Sequence, residues 1–210
     1  MTDAYLTVAE RATATFEVRG SEFLGHVSPA ASVDEAEAFV ETVREEYADA
    51  THNVPAYRVP AGEPSERRPG DGEVMLREYA SDDGEPSGSA GKPALNVLQG
   101  REVRNVAAVV TRYYGGTNLG VGGLVSAYSR AVQDALDAAG VVEERPHRTM
   151  VVTTAYDDSG TVRGIVESAD VSFEAEYGED VTFEIRVPVA EAAALADRLR
   201  SATSGRVDPE

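Results

Sequence analysis

Cysteine is absent from all 210 residues, which excludes disulfides, thiolate nucleophiles and cysteine-liganded zinc. Lysine is almost absent as well: Lys92 stands alone, and arginine supplies the rest of the 19 basic residues against 37 aspartates and glutamates. A formal charge of −18 leaves no broad positive field with which to gather nucleic acid. Such a lysine-poor acidic surface resembles adaptation to concentrated salt, where hydrated carboxylates keep a protein in solution. Salt near ~1 M shortens the screening length to about 3 Å. An RNA or ribosomal partner would therefore be held by local contacts, stacking and shape rather than by counterion release.

Other absences narrow the chemistry. No run approaches the ~18 apolar residues of a membrane span, and Met1-Thr-Asp-Ala-Tyr5 lacks the basic and apolar stretches of a signal peptide, so a cytoplasmic protein without a membrane partner is expected. His26, His52 and His147 are scattered without ligand spacing, which argues against a metal site and a readable triad. No Gly-Lys-Ser/Thr closes a phosphate loop, no G-x-S-x-G presents a nucleophile, and no motif for reading DNA sequence is present. Neither a catalytic residue nor a cofactor is implied.

What is present is an ordinary globular chain, 42% hydrophobic. Ser32-Val-Asp-Glu35 has capping-box spacing and opens a helix to about Tyr47, with Val33, Ala36, Phe39, Val40, Val43 and Tyr47 on one face. Strands are predicted at 13–18 and 23–27 around Arg19-Gly-Ser21, at 52–59 and 73–79, and as a buried apolar run at 106–111. Residues 60–72 read as a surface loop, and 81–93 as a second loop leading into a short helix through Leu95 and Leu98. A long helix runs from Leu124 to Ala139 and stops at Gly140. From 149 the order strand, helix, strand, strand, helix gives most of a ferredoxin-like split unit, with the last residues, 205–210, fraying. The fold class is α+β in two domains, 1–145 and 146–210, with Glu143-Glu-Arg-Pro-His147 between them.

The most informative stretch is Arg112-Tyr-Tyr-Gly-Gly-Thr-Asn-Leu-Gly-Val-Gly-Gly-Leu-Val-Ser-Ala-Tyr128. Gly115, Gly116, Gly120, Gly122 and Gly123 lie between a buried strand and a helix whose first N–H groups are free to meet an anion or a carbonyl. The glycines serve either such contact or tight packing of the helix on the strand. Arg112, Tyr113 and Tyr114 place a cation and two rings at the mouth of this turn, with at least one ring facing outward. Asp82, Asp83 and Glu85 could hold Mg²⁺ or form a solvated turn. Ser87, Ser89 and the lone Lys92 sit beside glycines in the same loop, Lys92 as a point charge for phosphate or carboxylate.

These residues carry a family resemblance. The stretch from Thr111 to Tyr128 resembles the signature of the IMPACT family, and Asp82-Asp-Gly-Glu-Pro-Ser-Gly-Ser-Ala-Gly-Lys-Pro93 matches its second block. Arg19-Gly-Ser-Glu-Phe-Leu-Gly25 and His52-Asn-Val-Pro-Ala-Tyr-Arg58 match two more, in the family's order. Residues 149–205 are similar in pattern to the small C-terminal domain of prokaryotic members, which looks like the last domain of elongation factor G. The resemblance implies a first domain of the ribosomal protein S-five domain 2 type, shared with elongation factor G domain IV, and a role around translation, where eukaryotic relatives regulate initiation.

The expected function is thus a non-enzymatic regulatory factor that binds the ribosome, RNA or a translation-associated protein. Its contact face would comprise the glycine turn, Arg112, Tyr113, Tyr114, Lys92, His52 and Arg58, and replacing Lys92 and Arg112 would abolish binding without altering stability. The alternative is an enzyme that binds a small molecule or peptide, with the turn as a phosphate or carboxylate cradle and Asp82, Asp83 or Glu85 on Mg²⁺.

Overall fold

The structure, a computed structural model, describes residues 4–62 and 74–209. They form two compact units that meet along the chain between Glu144 and Arg145.

The first unit begins with β1 (Tyr5–Val8), followed by β2 (Ala12–Val18) and β3 (Ser21–Pro29). Arg19 and Gly20 join the last two with φ of 49° and 81°, the paired positive values that a two-residue hairpin turn requires. After α1 (Val33–Glu46) come β4 (His52–Pro60), β5 (Leu76–Ala80), α2 (Gly91–Gly100), β6 (Val106–Tyr113) and α3 (Gly120–Ala139). The sheet is antiparallel in the order β2-β3-β6-β4-β5. β6 lies at its centre, which is why it reads as an unbroken apolar run.

Helices cover both faces. The capping box at α1 forms as the spacing predicts: the Glu35 amide donates to Ser32 Oγ at 3.2 Å, and Glu35 Oε2 accepts from the Ala31 amide at 2.8 Å. Phe39, Val40 and Val43 of α1 then pack on Tyr57, Val59, Ala107 and Val109. The opposite face, Val54, Ala56, Val106, Ala108 and Val110, carries α2 and α3 through Leu98, Leu124, Tyr128 and Leu136. Each valine, leucine or phenylalanine among them contributes about 1.5–3 kcal/mol when removed from water. A Cβ on Gly25 would lie 2.0 Å from the Ala131 carbonyl oxygen, so glycine alone lets α3 rest on β3. Gly140, at φ 71°, ends α3 where the sequence indicates.

The second unit comprises β8 (His147–Thr154), α4 (Tyr156–Ser168), β9 (Ser172–Tyr177), β10 (Val181–Pro188) and α5 (Val189–Ala202). Its antiparallel sheet has the order β8-β10-β9, which is the split βαβ arrangement. Period-two alternation sends Met150, Val152, Phe183, Ile185 and Val187 against Val162, Val166, Leu195 and Leu199. The two-domain α+β class is therefore as expected.

Three details differ from the sequence reading. β1 pairs with β7 (Val141–Glu144), so the segment read as the start of a linker is a strand. Four-residue strands are too short to show a period, and their pairing spans more than a hundred residues. Of the tail expected to fray, residue 210 lies outside the described residues, and the part before it is held: Val207 is 1% exposed, and Arg206 grips Asp158 with two hydrogen bonds of 2.7 Å. β5 begins at Leu76 rather than at 73, and most of the expected 60–72 loop lies outside the described residues.

Candidate functional site

The glycine turn is built from three sides, and a single buried carboxylate joins them. Glu85 comes from the loop between β5 and α2, and its side chain is 4% exposed. Its Oε1 accepts from Arg112 Nη1 at 2.5 Å and from the Tyr128 hydroxyl at 2.7 Å. Tyr128 is driven above the ordinary phenol pKa by burial, then by this bond to Glu85. His52 Nε2 lies 3.9 Å from the same oxygen, while His52 Nδ1 is 2.7 Å from the Asp83 carbonyl and so carries the proton. The alternation of β4 and β6 explains the meeting: His52 and Arg112 are register partners whose side chains fall on the α2 and α3 face.

Arg112 is accordingly not a surface cation. It is 5% exposed, and its guanidinium carbon sits 5.4 Å from the Phe23 ring centre and 5.3 Å from that of Tyr114. Its Nη2 reaches Ser21 Oγ at 3.4 Å, and the same oxygen accepts from the Gly115 amide at 3.1 Å. A Cβ on Gly115 would lie 1.8 Å from the Gly20 carbonyl oxygen, so the β2–β3 hairpin and the glycine turn press backbone against backbone. The expectation that Arg112 can be removed without loss of stability is overturned. Its removal would leave Glu85 as an unpaired buried charge.

The other loop carboxylates are also committed. Asp82 accepts from the amides of Gly88, Ala90 and Gly91 at 2.7, 3.0 and 2.8 Å, which closes the start of α2. Burial alone would raise its pKa, but these three donors outweigh burial and hold it below the usual range. Asp83 accepts from the Asn53 amide at 2.7 Å. The three acids thus point to different partners, and no cluster suited to a metal ion occurs among the described residues. Ser89 is buried and donates to the Pro86 carbonyl at 2.6 Å, whereas Ser87 is exposed. Lys92 is exposed on the first turn of α2.

Arg58 does not join the site. Its Nε donates to Glu78 at 2.7 Å and its Nη1 to the Val103 and Leu98 carbonyls at 2.8 and 3.3 Å, closing the far end of α2. Six residues of strand place it about 20 Å from His52. Tyr113 turns to the α1 side, where its hydroxyl donates to Asp49 at 2.8 Å; that bond, then burial, pushes its pKa up to about 12. Tyr114 is the ring that faces outward, 45% exposed.

What remains open to solvent is compact. Residues 114–118 and 120–122 are exposed, and α3 starts without a side-chain cap and without an acid in its first turn. Gly116, Gly120 and Gly122 have open space where a side chain would stand, and Gly123 packs on Leu119. Val121 is 59% exposed. The unit presents an uncapped, glycine-rich helix start beside a tyrosine ring, anchored from beneath by Glu85, Arg112 and Tyr128. Residues missed in the sequence are the supports Ser21 and Thr51; Thr51 Oγ1 accepts from the Tyr114 amide at 3.0 Å. Single hydroxyls of this kind leave no pattern.

Known families fit this frame. The Impact N-terminal domain matches residues 19–136, the whole of the region just described. The chain belongs to the IMPACT family. A domain of unknown function, DUF1949, matches residues 152–206 in the second unit. The chain is 35% identical over 209 residues to the IMPACT family member YvyE of Bacillus subtilis, covering 99% of this chain and 91% of that protein. It is 32% identical over 204 residues to the IMPACT family member YigZ of Escherichia coli, with 97% and 95% covered. A solved structure described as that of a hypothetical protein aligns with TM-score 0.68 and 32% identity over 100% of this chain and 97% of the other. Each of the four blocks that carry the resemblance contributes to one connected group, with Arg112, Tyr128 and His52 around Glu85 and Ser21 beneath Arg112.

Proposed function

We propose that this protein is a non-enzymatic, translation-associated regulatory factor that contacts the ribosome, RNA or a ribosomal protein through the exposed glycine turn. The observation that carries the reading is the contrast within one segment. Arg112 and Tyr128 are locked on a buried carboxylate, while residues 114–118 and 120–122 between them expose the glycine turn, the uncapped α3 start and the Tyr114 ring. A surface whose glycines 116, 120 and 122 leave open space beside an uncapped helix start suits close approach by a phosphate, a base or a partner's main chain. Membership of the IMPACT family supports a setting in translation, and the acidic charge requires such a contact to be local. Lys92 and Ser87 are both exposed, on α2 and in the loop before it, and the proposal assigns them to the same face.

Catalysis has less support. Asp82, Asp83 and Glu85 are held by three separate sets of partners, so the Mg²⁺ they would contribute to phosphoryl transfer has no shared site among them. The uncapped helix start still favours an anion, which leaves one alternative: an enzyme with a phosphate or carboxylate cradle. Thermal shift with Mg²⁺ and nucleotides separates the two. A ligand at 100 times its dissociation constant would stabilise the fold by about 2.7 kcal/mol. The proposal predicts no such shift, and predicts that tagged protein in a sucrose gradient of its own lysate migrates with ribosomal subunits. A nucleotide-dependent shift together with a purely soluble pool would favour the enzyme.

A further inference from the structure

A cleft of about 380 Å³ lies between β2 and the first half of α3. Its apolar lining comes from Phe16 and Val18 on the strand, from Leu119 just before α3 and from Ala127 on it, and two cations, Arg19 and Arg130, also line it. The small residues Gly123 and Ser126 keep the helix side low, so the cleft is open along the strand.

β2 is an outer strand of the five-stranded sheet, paired on one side with β3. Along its seven residues, Ala-Thr-Ala-Thr-Phe-Glu-Val, it carries neither proline nor lysine, and its register with β3 is continuous without a bulge. Proline, lysine and a bulge, which commonly block an outer strand, are thus missing, and the one charged residue, Glu17, alternates with Phe16 and Val18 and so lies on the face away from the cleft. Among the described residues no strand pairs with the other edge of β2, and Phe16 and Val18 of the same strand line the cleft. Charge is the second clue. Arg19 is exposed and has no ion-pair partner among the described residues. Arg130 lies 4.1 Å over the Phe16 ring and shares its charge with Asp134 at 3.1 Å. In a chain of net charge −18, an apolar floor flanked by the unpaired Arg19 and the Asp134-paired Arg130, with no acid in its lining, is a local departure from the acidic surface.

We propose that this cleft binds an extended acidic peptide, which adds as a further strand to the free edge of β2. One apolar side chain of the peptide enters between Phe16, Val18 and Leu119, and carboxylates two residues away on either side meet Arg19 and Arg130. Alternate residues of a strand share a face and are spaced by about 6.6–6.8 Å, which gives the pattern acidic–x–apolar–x–acidic. Main-chain pairing supplies affinity, and the cleft with its two cations supplies selection. Single-stranded nucleic acid fits less well, because Phe16 already stacks on Phe23 at 5.4 Å and lies under Arg130, leaving no free ring for a base. The inference is independent of the translation reading.

The probe is a fluorescein-labelled peptide, Thr-Glu-Val-Leu-Val-Glu-Thr, titrated with the full chain and read by fluorescence anisotropy. It should bind at least about tenfold more tightly than the same peptide with both glutamates replaced by lysine, a difference of about 1.4 kcal/mol. The double variant Arg19→Glu/Arg130→Glu should reverse that preference, and Ser126→Phe, which fills the cleft without changing charge, should weaken both peptides. N-methylation of alternate peptide amides should also abolish binding, since it removes the strand pairing. No binding by the native chain, equal binding of the two peptides, or tighter binding of a labelled oligouridylate that the double variant loses would each overturn the proposal.

Discussion

Arg112 and Tyr128 donate to the same oxygen of Glu85, at 2.5 and 2.7 Å, so one buried carboxylate joins the loop before α2, the central strand β6 and helix α3. Removing one partner of such a pair costs about 3–5 kcal/mol, because the other charge is left unpaired in the interior. Arg112→Ala should therefore lower the urea midpoint sharply. The double variant Glu85→Leu/Arg112→Met should recover much of the loss, and strictly additive effects would show that the two residues are not coupled. Tyr128→Phe, which removes one hydrogen bond to a charged acceptor, should cost a smaller ~1.5–3 kcal/mol.

The glycines of the signature should separate into two classes. A Cβ at position 25 would strike the backbone of α3 and one at 115 the backbone of Gly20, so Gly25→Ala and Gly115→Ala should each destabilise by at least about 1–3 kcal/mol. At Gly122 no atom lies within 4 Å and φ is not positive, so Gly122→Ala should be neutral or stabilise by up to about 1 kcal/mol. Thermal denaturation of the three variants decides this, and a destabilised Gly122→Ala would show that the residue is needed for the fold.

His26 sets a pH dependence in the first unit. It is 1% exposed, bonded through Nδ1 to Thr13 Oγ1 at 3.0 Å and packed on the Tyr47 ring at 4.8 Å. Burial lowers its pKa to about 4, the nearby Glu46 raising it in part and Arg11 lowering it. The unfolded chain takes up a proton near pH 6.5, well before the folded chain does. Its neutral form is thus fully compatible with the fold above pH 6.5, and stability is lost between that pH and about 4, at up to ~1.4 kcal/mol per unit. In His26→Gln that part of the slope should vanish from a series of urea melts; an unchanged slope would assign it to other groups.

Asp82 works in the acid range. Because its folded pKa is depressed, the stability it brings to the α2 start is present above the unfolded value and is lost as pH falls through the folded one. Asp82→Ala should cost about 0.5–2 kcal/mol at neutral pH. The difference from the native chain should shrink in acid, and a difference independent of pH would contradict the capping role.

The sequence makes the scaffold legible because most of its signals are local. Ser32 and Glu35 state the start of α1, the run at 106–111 states a central strand, and Gly140 states the end of α3. The site was legible only in part. Family blocks locate the turn, but whether Arg112 points to solvent or to Glu85 depends on which face of β6 each residue takes and on what lies there. His52 and Arg58, six residues apart in one block, look equivalent in sequence; strand geometry places them at opposite ends of the sheet. The pairing of β1 with β7 was hidden for a similar reason, since neither four-residue segment carries a pattern without its distant partner.

Pelleting of purified ribosomal subunits with the native chain, Tyr114→Ala and Gly122→Glu tests the central claim most directly, with Thr153→Glu on the second unit as a control for added charge. The predicted result is pelleting of the native chain and the control, with both turn variants left in the supernatant although each still melts cooperatively; Gly122→Glu keeps the native melting temperature, and Tyr114→Ala loses some stability because its ring packs on Arg112. Native protein that stays in the supernatant, or turn variants that pellet as the native chain does, would contradict the assignment of the glycine turn as a ribosome-contacting face.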